Sequence, residues 1–210
     1  MTNPKTILFL NGDLPSINTV KKYLRKGDYI ICADGGANEL IKTSIVPDII
    51  LGDLDSINKV SLNYFRRKGV EVRKISEQVT TDFEKSLLYI IERKLNDVII
   101  FGGVSSRPDH TLNNFSILKR YYRILNIKII DKDYEIYYIK NKDSFATVPG
   151  KVVSLMAMPV AKGITTKGLK YLLKNESLEF GTREGTLNKT SAKRVSISFK
   201  SGHLLLFKGI

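Results

Sequence analysis

The chain has 210 residues, enough to bury one large hydrophobic core or two modest ones. Its hydrophobic fraction of 42% is ordinary for a globular protein, and no apolar run approaches the ~20 residues of a membrane-spanning helix. The N-terminus lacks the apolar segment and cleavage site of a signal peptide. The single Cys32 excludes an internal disulfide and a multi-cysteine zinc site. We therefore expect a cytoplasmic protein with no membrane association.

The chain is strongly basic, with 34 Lys and Arg residues against 21 Asp and Glu, a formal charge of +13. These basic residues are scattered, and the longest runs are only 21–22 and 66–68. Dispersed, solvated charge explains the excess, and a field that attracts small polyanions is the alternative. No nucleic-acid-binding motif accompanies it, so we predict no nucleic-acid partner.

In the first two-thirds of the chain, short apolar runs alternate with segments of helical spacing. The predicted strands are 6–10, 29–33, 48–51, 70–74, 98–101 and 127–130. Ser16 is placed to cap a helix that Gly27 closes, Thr81 opens a segment of capping-box form, and Thr111 starts a further helix. This alternation predicts an α/β domain over 1–140, with a mainly parallel sheet and helices on both faces.

The pattern changes after about Asp143. Strand-like runs at 152–156, 169–173, 195–199 and 204–207 are separated by turn residues, as at 149–150, 162–163 and 201–202. We interpret 145–210 as an antiparallel β-sandwich domain and 141–144 as the linker.

Acidic residues follow the predicted strands of the first domain. Asp34 follows the second strand, Asp53 and Asp55 follow the third, and Asp82 begins the helix at Thr81. Ligands of open α/β sheets bind beyond the carboxyl ends of the strands. We therefore expect Asp53, Asp55 and Asp82 to converge on one or two cations, and their oxygen ligands suit Mg²⁺.

Glycines and basic residues occur at the same strand ends. The pairs 35–36 and 102–103 allow backbone N–H groups to approach a phosphate closely, and Lys85 and Arg107 can offset its charge. Each feature alone has a plainer explanation: Asp34 and Asp82 as helix-terminus acids, His110 as a hydrogen-bonded structural residue. Their combination at one edge of a sheet indicates a site for a metal and a polyphosphate.

The ordered motifs also resemble those of the thiamine pyrophosphokinase family. The matching segments are 32–38, 47–56, 81–87, 102–103, 107–110, 168–171, 181–182 and 195–198. The resemblance covers nearly the whole chain and depends on no single motif. It implies transfer of the β,γ-pyrophosphoryl group of ATP to the hydroxyl of thiamine, giving thiamine diphosphate and AMP. It also implies a homodimer with an α/β nucleotide domain, a β-sandwich domain and thiamine at the dimer interface.

The resemblance implies a role for each matching residue. The Mg²⁺-binding acids are Asp53, Asp55 and Asp82, and the catalytic residues are Asp82, Lys85 and Asp109. The ATP-binding residues are Asp34, Gly35, Gly36, Asp53, Lys85, Gly103, Arg107, Asp109 and His110. The thiamine-binding residues are Gln78, Thr81, Asp109, Tyr171, Thr186 and Asn188.

Two departures from the family pattern concern thiamine. Leu187 precedes Asn188 where relatives usually carry Ser before Asn, so a hydroxyl is missing. Tyr171 stands where a tryptophan is frequent, and this chain has no Trp. These differences bear on thiamine binding more than on phosphate chemistry.

Three other functions are consistent with parts of the pattern. A phosphatase or phosphotransferase would use Asp53 as covalent nucleophile and Asp55 as acid, but its later lysine and acidic metal motif are missing. A non-catalytic nucleotide- or nucleic-acid-binding protein would use the basic surface, although strand-end carboxylates repel a phosphate backbone. A family relative with a different alcohol substrate is the third.

Overall fold

The computed structural model describes residues 4–210 as two compact units, which divide between Lys132 and Asp133. The division falls before the predicted linker at 141–144, and that linker is wrong: most of it lies within a strand, Lys142–Ala146. The strand forms because Phe145 is buried in the core of the second unit.

The first unit contains a six-stranded parallel sheet. Its strands are β1 (Thr6–Phe9), β2 (Tyr29–Ala33), β3 (Ile49–Gly52), β4 (Glu71–Lys74), β5 (Asp97–Phe101) and β6 (Asn126–Ile130). Their order is β4-β3-β2-β1-β5-β6, and all five pairings are parallel. Every residue of β1 and β3 is buried, so both faces of the sheet are covered, as is typical of parallel sheets. The predicted mainly parallel domain is confirmed.

Five helices are described in the first unit. They are α1 (Ile17–Tyr23), α2 (Ala37–Leu40), α3 (Lys59–Arg67), α4 (Asp82–Glu92) and α5 (Pro108–Tyr121), with a 3-10 turn at Asp34–Gly36 before α2. The predicted N-caps are confirmed. The Ser16 hydroxyl accepts a hydrogen bond from the Thr19 N–H, and the Thr81 hydroxyl accepts one from the Glu84 N–H. Within residues 4–210, no helix is long and apolar enough to cross a membrane.

Several helix predictions are corrected. Helix α5 begins at Pro108 and not at Thr111, because proline fits the first position of a helix, where no N–H partner is needed. Helix α1 ends four residues before Gly27. Helix α3 was not predicted.

The second unit is antiparallel. Its strands are β7 (Tyr134–Ile139), β8 (Lys142–Ala146), β9 (Val152–Lys167), β10 (Lys174–Glu179), β11 (Gly185–Lys189), β12 (Arg194–Ser198) and β13 (Ser201–Gly209). Their order is β7-β13-β9-β12-β8, and β10 and β11 also pair with β9. The antiparallel C-terminal architecture is therefore confirmed.

The strand β9 is much longer than predicted. It continues through the expected turn at 162–163, where Gly163 has a φ of +70° and the pairing with neighbouring strands shifts register. The predicted strand at 169–173 is wrong, since only Leu169 forms an isolated bridge, to Thr190. Leu169 and Leu173 are nevertheless buried, which explains their apolar character.

Leu187 in β11 offers a test of backbone strain. It is 75% exposed and has a φ of +55°, a left-handed conformation that costs most residues about 1–2 kcal/mol and glycine little. We expect Leu187→Gly to raise the free energy of unfolding by about 0.5–1 kcal/mol, measured by urea denaturation.

The matched control is Leu112→Gly, an exposed leucine inside α5. Because glycine is unfavourable in a helix interior, this variant should lose about 1 kcal/mol. Equal losses in both variants would contradict the strain at Leu187.

Candidate active site

Three acidic side chains meet at the carboxyl edge of the parallel sheet. Asp34 follows β2, Asp53 follows β3 and Asp82 is the first residue of α4. Each offers a carboxylate oxygen, and these three oxygens all lie within 4.8 Å of one another. We call this group the acid cluster. Such a set of oxygen donors is suited to a hard divalent cation.

Gly52 allows the acid cluster to be this compact. Its φ is +150°, and a Cβ built on it would lie 2.8 Å from the Asp34 Cβ and 2.9 Å from an Asp82 carboxylate oxygen. Any side chain here would therefore push the acids apart. The next residue, Asp53, also donates its backbone N–H to Asp82 over 3.4 Å.

Asp34 ties the end of β2 to the turn that follows β3. It is 1% exposed, and its two carboxylate oxygens accept the Ser56 N–H at 2.9 Å and the Ile57 N–H at 3.0 Å. Burial raises the pKa of Asp34, and the two hydrogen bonds oppose this rise only in part. The buried carboxylate therefore fixes the shape of the turn that carries Asp55.

Asp55 lies outside the acid cluster. It is exposed and accepts a 2.8 Å hydrogen bond from the Ser56 hydroxyl, which lowers the pKa of Asp55. Of the three predicted metal ligands, the structure thus brings together Asp53 and Asp82 and adds Asp34. The roles of Asp53, Asp55 and Asp82 as metal ligands remain predictions, as does that of Asp34 in ATP binding.

Lys85 provides the positive charge of the site. Its side chain is almost fully buried, because the residue is only 4% exposed. Its ammonium group lies 3.2 Å from Asp82 Oδ1 and 3.5 Å from Asp53 Oδ2. Burial alone would lower the pKa of Lys85, but the hydrogen bonds and charges of these carboxylates outweigh it, so the pKa is raised. Lys85 therefore stays charged.

A cleft of about 390 Å³ opens beside the acid cluster. It contains four residues predicted for the site, Thr81, Asp82, Asp109 and His110. The analysis of the sequence missed other residues that line it, namely Gly12 and the polar Asn11, Ser56, Ser105, Asn113 and Asn114. Asn11 and Gly12 follow β1, so the strand-end rule would have found them.

The loop after β5 is held by helix α5. Asn114 donates its side-chain N–H to the Gly103 carbonyl at 2.9 Å, and the Thr111 hydroxyl accepts the Ser105 N–H at 3.1 Å. Gly102 has a φ of +70°, and a Cβ there would come within 2.4 Å of the Leu10 carbonyl oxygen. Gly103, a predicted ATP-binding residue, thus lies in a loop that hydrogen bonds tie to α5.

Arg107 and Asp109 pair with each other at the start of α5. The guanidinium and carboxylate are 2.7 Å apart, and the side chains are 66% and 64% exposed. The hydrogen bond from Arg107 lowers the pKa of Asp109. An exposed pair of this kind contributes little to stability and can rearrange easily.

The loop between β4 and α4 carries Gln78. Its first residue, Ile75, donates to the Gly52 carbonyl at 2.7 Å, next to the acid cluster. Within the loop the Glu77 carboxylate accepts the backbone N–H groups of Val79 and Thr80. Gln78 itself is exposed.

In the second unit, the structure brings together two of the three residues predicted to bind thiamine. The Asn188 side chain accepts the Tyr171 N–H at 3.1 Å and donates to the Tyr171 carbonyl at 2.6 Å. Asn188 is buried, whereas Tyr171 is 62% exposed. Thr186 is also exposed. The Asn188 amide therefore fixes the backbone of the segment that presents Tyr171.

The position of Lys85 beside two carboxylates predicts that the stability of the protein depends on divalent cations. We expect Lys85→Met to lower the free energy of unfolding by about 1–3 kcal/mol in chelator, because the acid cluster loses its charged hydrogen-bond donor. Adding Mg²⁺ should recover part of this loss, and thermal unfolding with and without the ion measures both effects.

Lys42→Met is the control, because Lys42 forms an exposed ion pair with Glu39 at the same i,i+3 spacing. It should change stability by less than about 0.5 kcal/mol, with no response to Mg²⁺. A cation-independent loss in Lys85→Met would show that the acid cluster does not bind the ion.

Comparisons with known proteins agree with this geometry. The family model of the thiamin pyrophosphokinase catalytic domain matches residues 20–130, and that of the vitamin B1 binding domain matches residues 133–204. Thiamin pyrophosphokinase 1 of Caenorhabditis elegans is 30% identical, over 95% of this chain and 86% of that protein. Thiamine pyrophosphokinase 1 of Arabidopsis thaliana is 28% identical, over 81% of this chain and 74% of that protein.

Solved structures share the fold. Thiamine pyrophosphokinase from Bacillus subtilis superposes with a TM-score of 0.87 at 23% identity, covering 98% of this chain and 99% of that one. Thiamin pyrophosphokinase from Candida albicans superposes with a TM-score of 0.87 at 19% identity, covering 99% of this chain and 89% of that one. From the two family models and the Caenorhabditis elegans relative together, the chain belongs to the thiamin pyrophosphokinase family.

Proposed function

We propose that this chain transfers the β,γ-pyrophosphoryl group of ATP to the hydroxyl of thiamine, producing thiamine diphosphate and AMP. The observation that carries the proposal is the acid cluster with Lys85, at the carboxyl edge of the parallel sheet of a chain in this family. Metal-binding carboxylates beside a buried ammonium are what a site for a polyphosphate requires.

The proposal includes Mg²⁺, held by Asp53, Asp55 and Asp82. The donor set fits, because these side chains offer only oxygen ligands, and Asp53 and Asp82 contribute oxygens to one compact group. Asp34 supports them by fixing the turn that carries Asp55. When bound, the ion would neutralise phosphate charge and align the polyphosphate.

The protein's own residues orient the reactants. Little covalent work is needed in phosphoryl transfer, so positioning and charge neutralisation dominate. Lys85 and Arg107 would contact phosphate oxygens, and the loop at Gly103 would present backbone N–H groups. Asp82 and Asp109 are the candidates for accepting the hydroxyl proton, but Asp82 is a weak base if it binds the metal.

The proposal keeps the thiamine-binding residues that the family resemblance implies. They are Gln78, Thr81 and Asp109 in the first unit and Tyr171, Thr186 and Asn188 in the second. The proposal includes a homodimer, in which the second unit contributes to thiamine binding and to the interface, and a cytoplasmic location. Sedimentation at micromolar concentration should show a dimer, and a fully active monomer would contradict this assembly.

Identification of the nucleotide product tests the function directly. We expect the chain, incubated with ATP, Mg²⁺ and thiamine, to release AMP and form thiamine diphosphate in equal amounts. Chromatography separates the outcomes. ADP or free phosphate as the product would indicate a kinase or phosphatase, and no turnover would indicate a binding protein.

Substitutions in the acid cluster and at Asp55 test the metal ligands. We expect Asp53→Asn and Asp55→Asn each to lower turnover by at least ~100-fold with the fold intact, because the metal acts chiefly in the transition state. Mn²⁺ titration followed by electron paramagnetic resonance measures cation affinity in each variant. Loss of Mn²⁺ affinity in Asp34→Asn but not in Asp55→Asn would replace Asp55 by Asp34 as the third ligand.

A further inference from the structure

Glu84 is a buried carboxylate next to the acid cluster that the proposed reaction does not use. It lies between Asp82 and Lys85 in the first turn of α4 and is 6% exposed. Its Oε1 atom accepts a hydrogen bond of 2.7 Å from the Tyr121 hydroxyl and lies 2.7 Å from an Arg120 guanidinium nitrogen. Both partners belong to the end of α5. Glu84 therefore connects the helix of Asp82 and Lys85 to the helix of Asp109.

This connection does not serve to cap helix α4. In a capping box, the glutamate side chain would bond the backbone N–H of the N-cap residue, Thr81. Here the Thr81 hydroxyl accepts the Glu84 N–H at 3.3 Å, while the Glu84 carboxylate points to α5. The sequence pattern of a capping box is thus used for a contact between helices.

A carboxylate is a costly choice for a contact that needs only packing. Burying a charge is unfavourable unless it is paired and hydrogen-bonded, and apolar residues of similar size often stabilise a buried position better. The bonds from Arg120 and Tyr121 are directional, and both meet at the same carboxylate oxygen of Glu84. The contact therefore specifies the position of α4 relative to α5.

The cleft explains why that position matters. Its lining includes Thr81, Asp82 and Phe83 from the start of α4, and Asp109, His110 and Asn113 from the start of α5. A shift of one helix along the other changes the distances between these two sets. In enzymes, a displacement of about 1 Å can reduce the rate about 100-fold.

We propose that Glu84 is a positioning residue, which holds Asp82 and Lys85 at the correct distance from the α5 side of the cleft through its bonds to Tyr121 and Arg120. This inference rests on the proposed function. It predicts that loss of the contact slows the transfer step while ATP and thiamine still bind.

The test uses three variants of the contact. At saturating Mg²⁺, we expect Glu84→Ala and Tyr121→Phe to lower kcat by about 10-fold or more, with the KM of ATP and of thiamine within about 2-fold of the parent. Glu84→Gln keeps an oxygen that accepts from Tyr121 and should restore most of kcat. Because the first two variants remove the same bond, their effects on kcat should not add in the double variant.

Tyr89→Phe is the matched control on the same helix. Tyr89 is buried and its hydroxyl lies 3.0 Å from that of Tyr29, so the variant also loses a buried hydrogen bond of α4. This bond involves the second half of the helix. We expect a lower melting temperature, as in the Glu84 variants, but an unchanged kcat.

The outcomes separate positioning from general stability. An unchanged kcat in folded Glu84→Ala overturns the inference, as does an equal loss of kcat in Tyr89→Phe. If Glu84→Ala does not fold, Tyr121→Phe decides in the same way.

AMP production by the parent is measured first, since its absence overturns the proposed function. Mn²⁺ affinity then tests the positioning alone: we expect a several-fold loss in Glu84→Ala and Tyr121→Phe, and none in Tyr89→Phe.

Discussion

Repulsion among Asp34, Asp53 and Asp82 is the constraint on which the arrangement of the first unit depends. Two like charges 4 Å apart repel by about 4 kcal/mol at the effective dielectric typical of such sites. The chain offsets this with the Lys85 ammonium between two of the acids and with two backbone N–H groups on Asp34. Burial raises the pKa of both Asp34 and Asp82, and repulsion from the neighbouring acids adds to this rise. An added cation would therefore stabilise the cluster, which is the property that the proposed Mg²⁺ site needs.

The sequence predicts the fold of the first unit better than that of the second, for a physical reason. Strands buried on both faces, such as Ile49–Gly52, are continuous apolar runs that composition alone reveals. The strand Val152–Lys167 instead alternates buried and exposed residues and contains Pro159 and Gly163, which usually mark turns. The strand Lys174–Glu179 buries only Leu178 fully and has almost no pattern to detect. Such strands form because neighbours pair with them.

The same distinction applies to the candidate site. The sequence located Asp34, Asp53 and Asp82, because the position of each depends on the strand or helix next to it. It did not reveal that Lys85 is buried, since that depends on Asp53, which is distant in the sequence. The hydrogen bonds between Asn188 and the Tyr171 backbone are equally non-local. Sequence patterns thus identify which residues reach the site, whereas the pairing among those residues requires the folded chain.

The pair Arg107 and Asp109 shows how such pairing can respond to a substrate. A phosphate offers the guanidinium the same two-oxygen geometry as a carboxylate, so it can take the place of Asp109 at little cost, because the pair is exposed. The hydrogen bond from Arg107 is the main reason that the pKa of Asp109 is low. In the proposed reaction, transfer of Arg107 to the polyphosphate would remove that bond and raise the pKa of Asp109. Asp109 would thus move back towards the pKa of an ordinary exposed carboxyl group once ATP is bound.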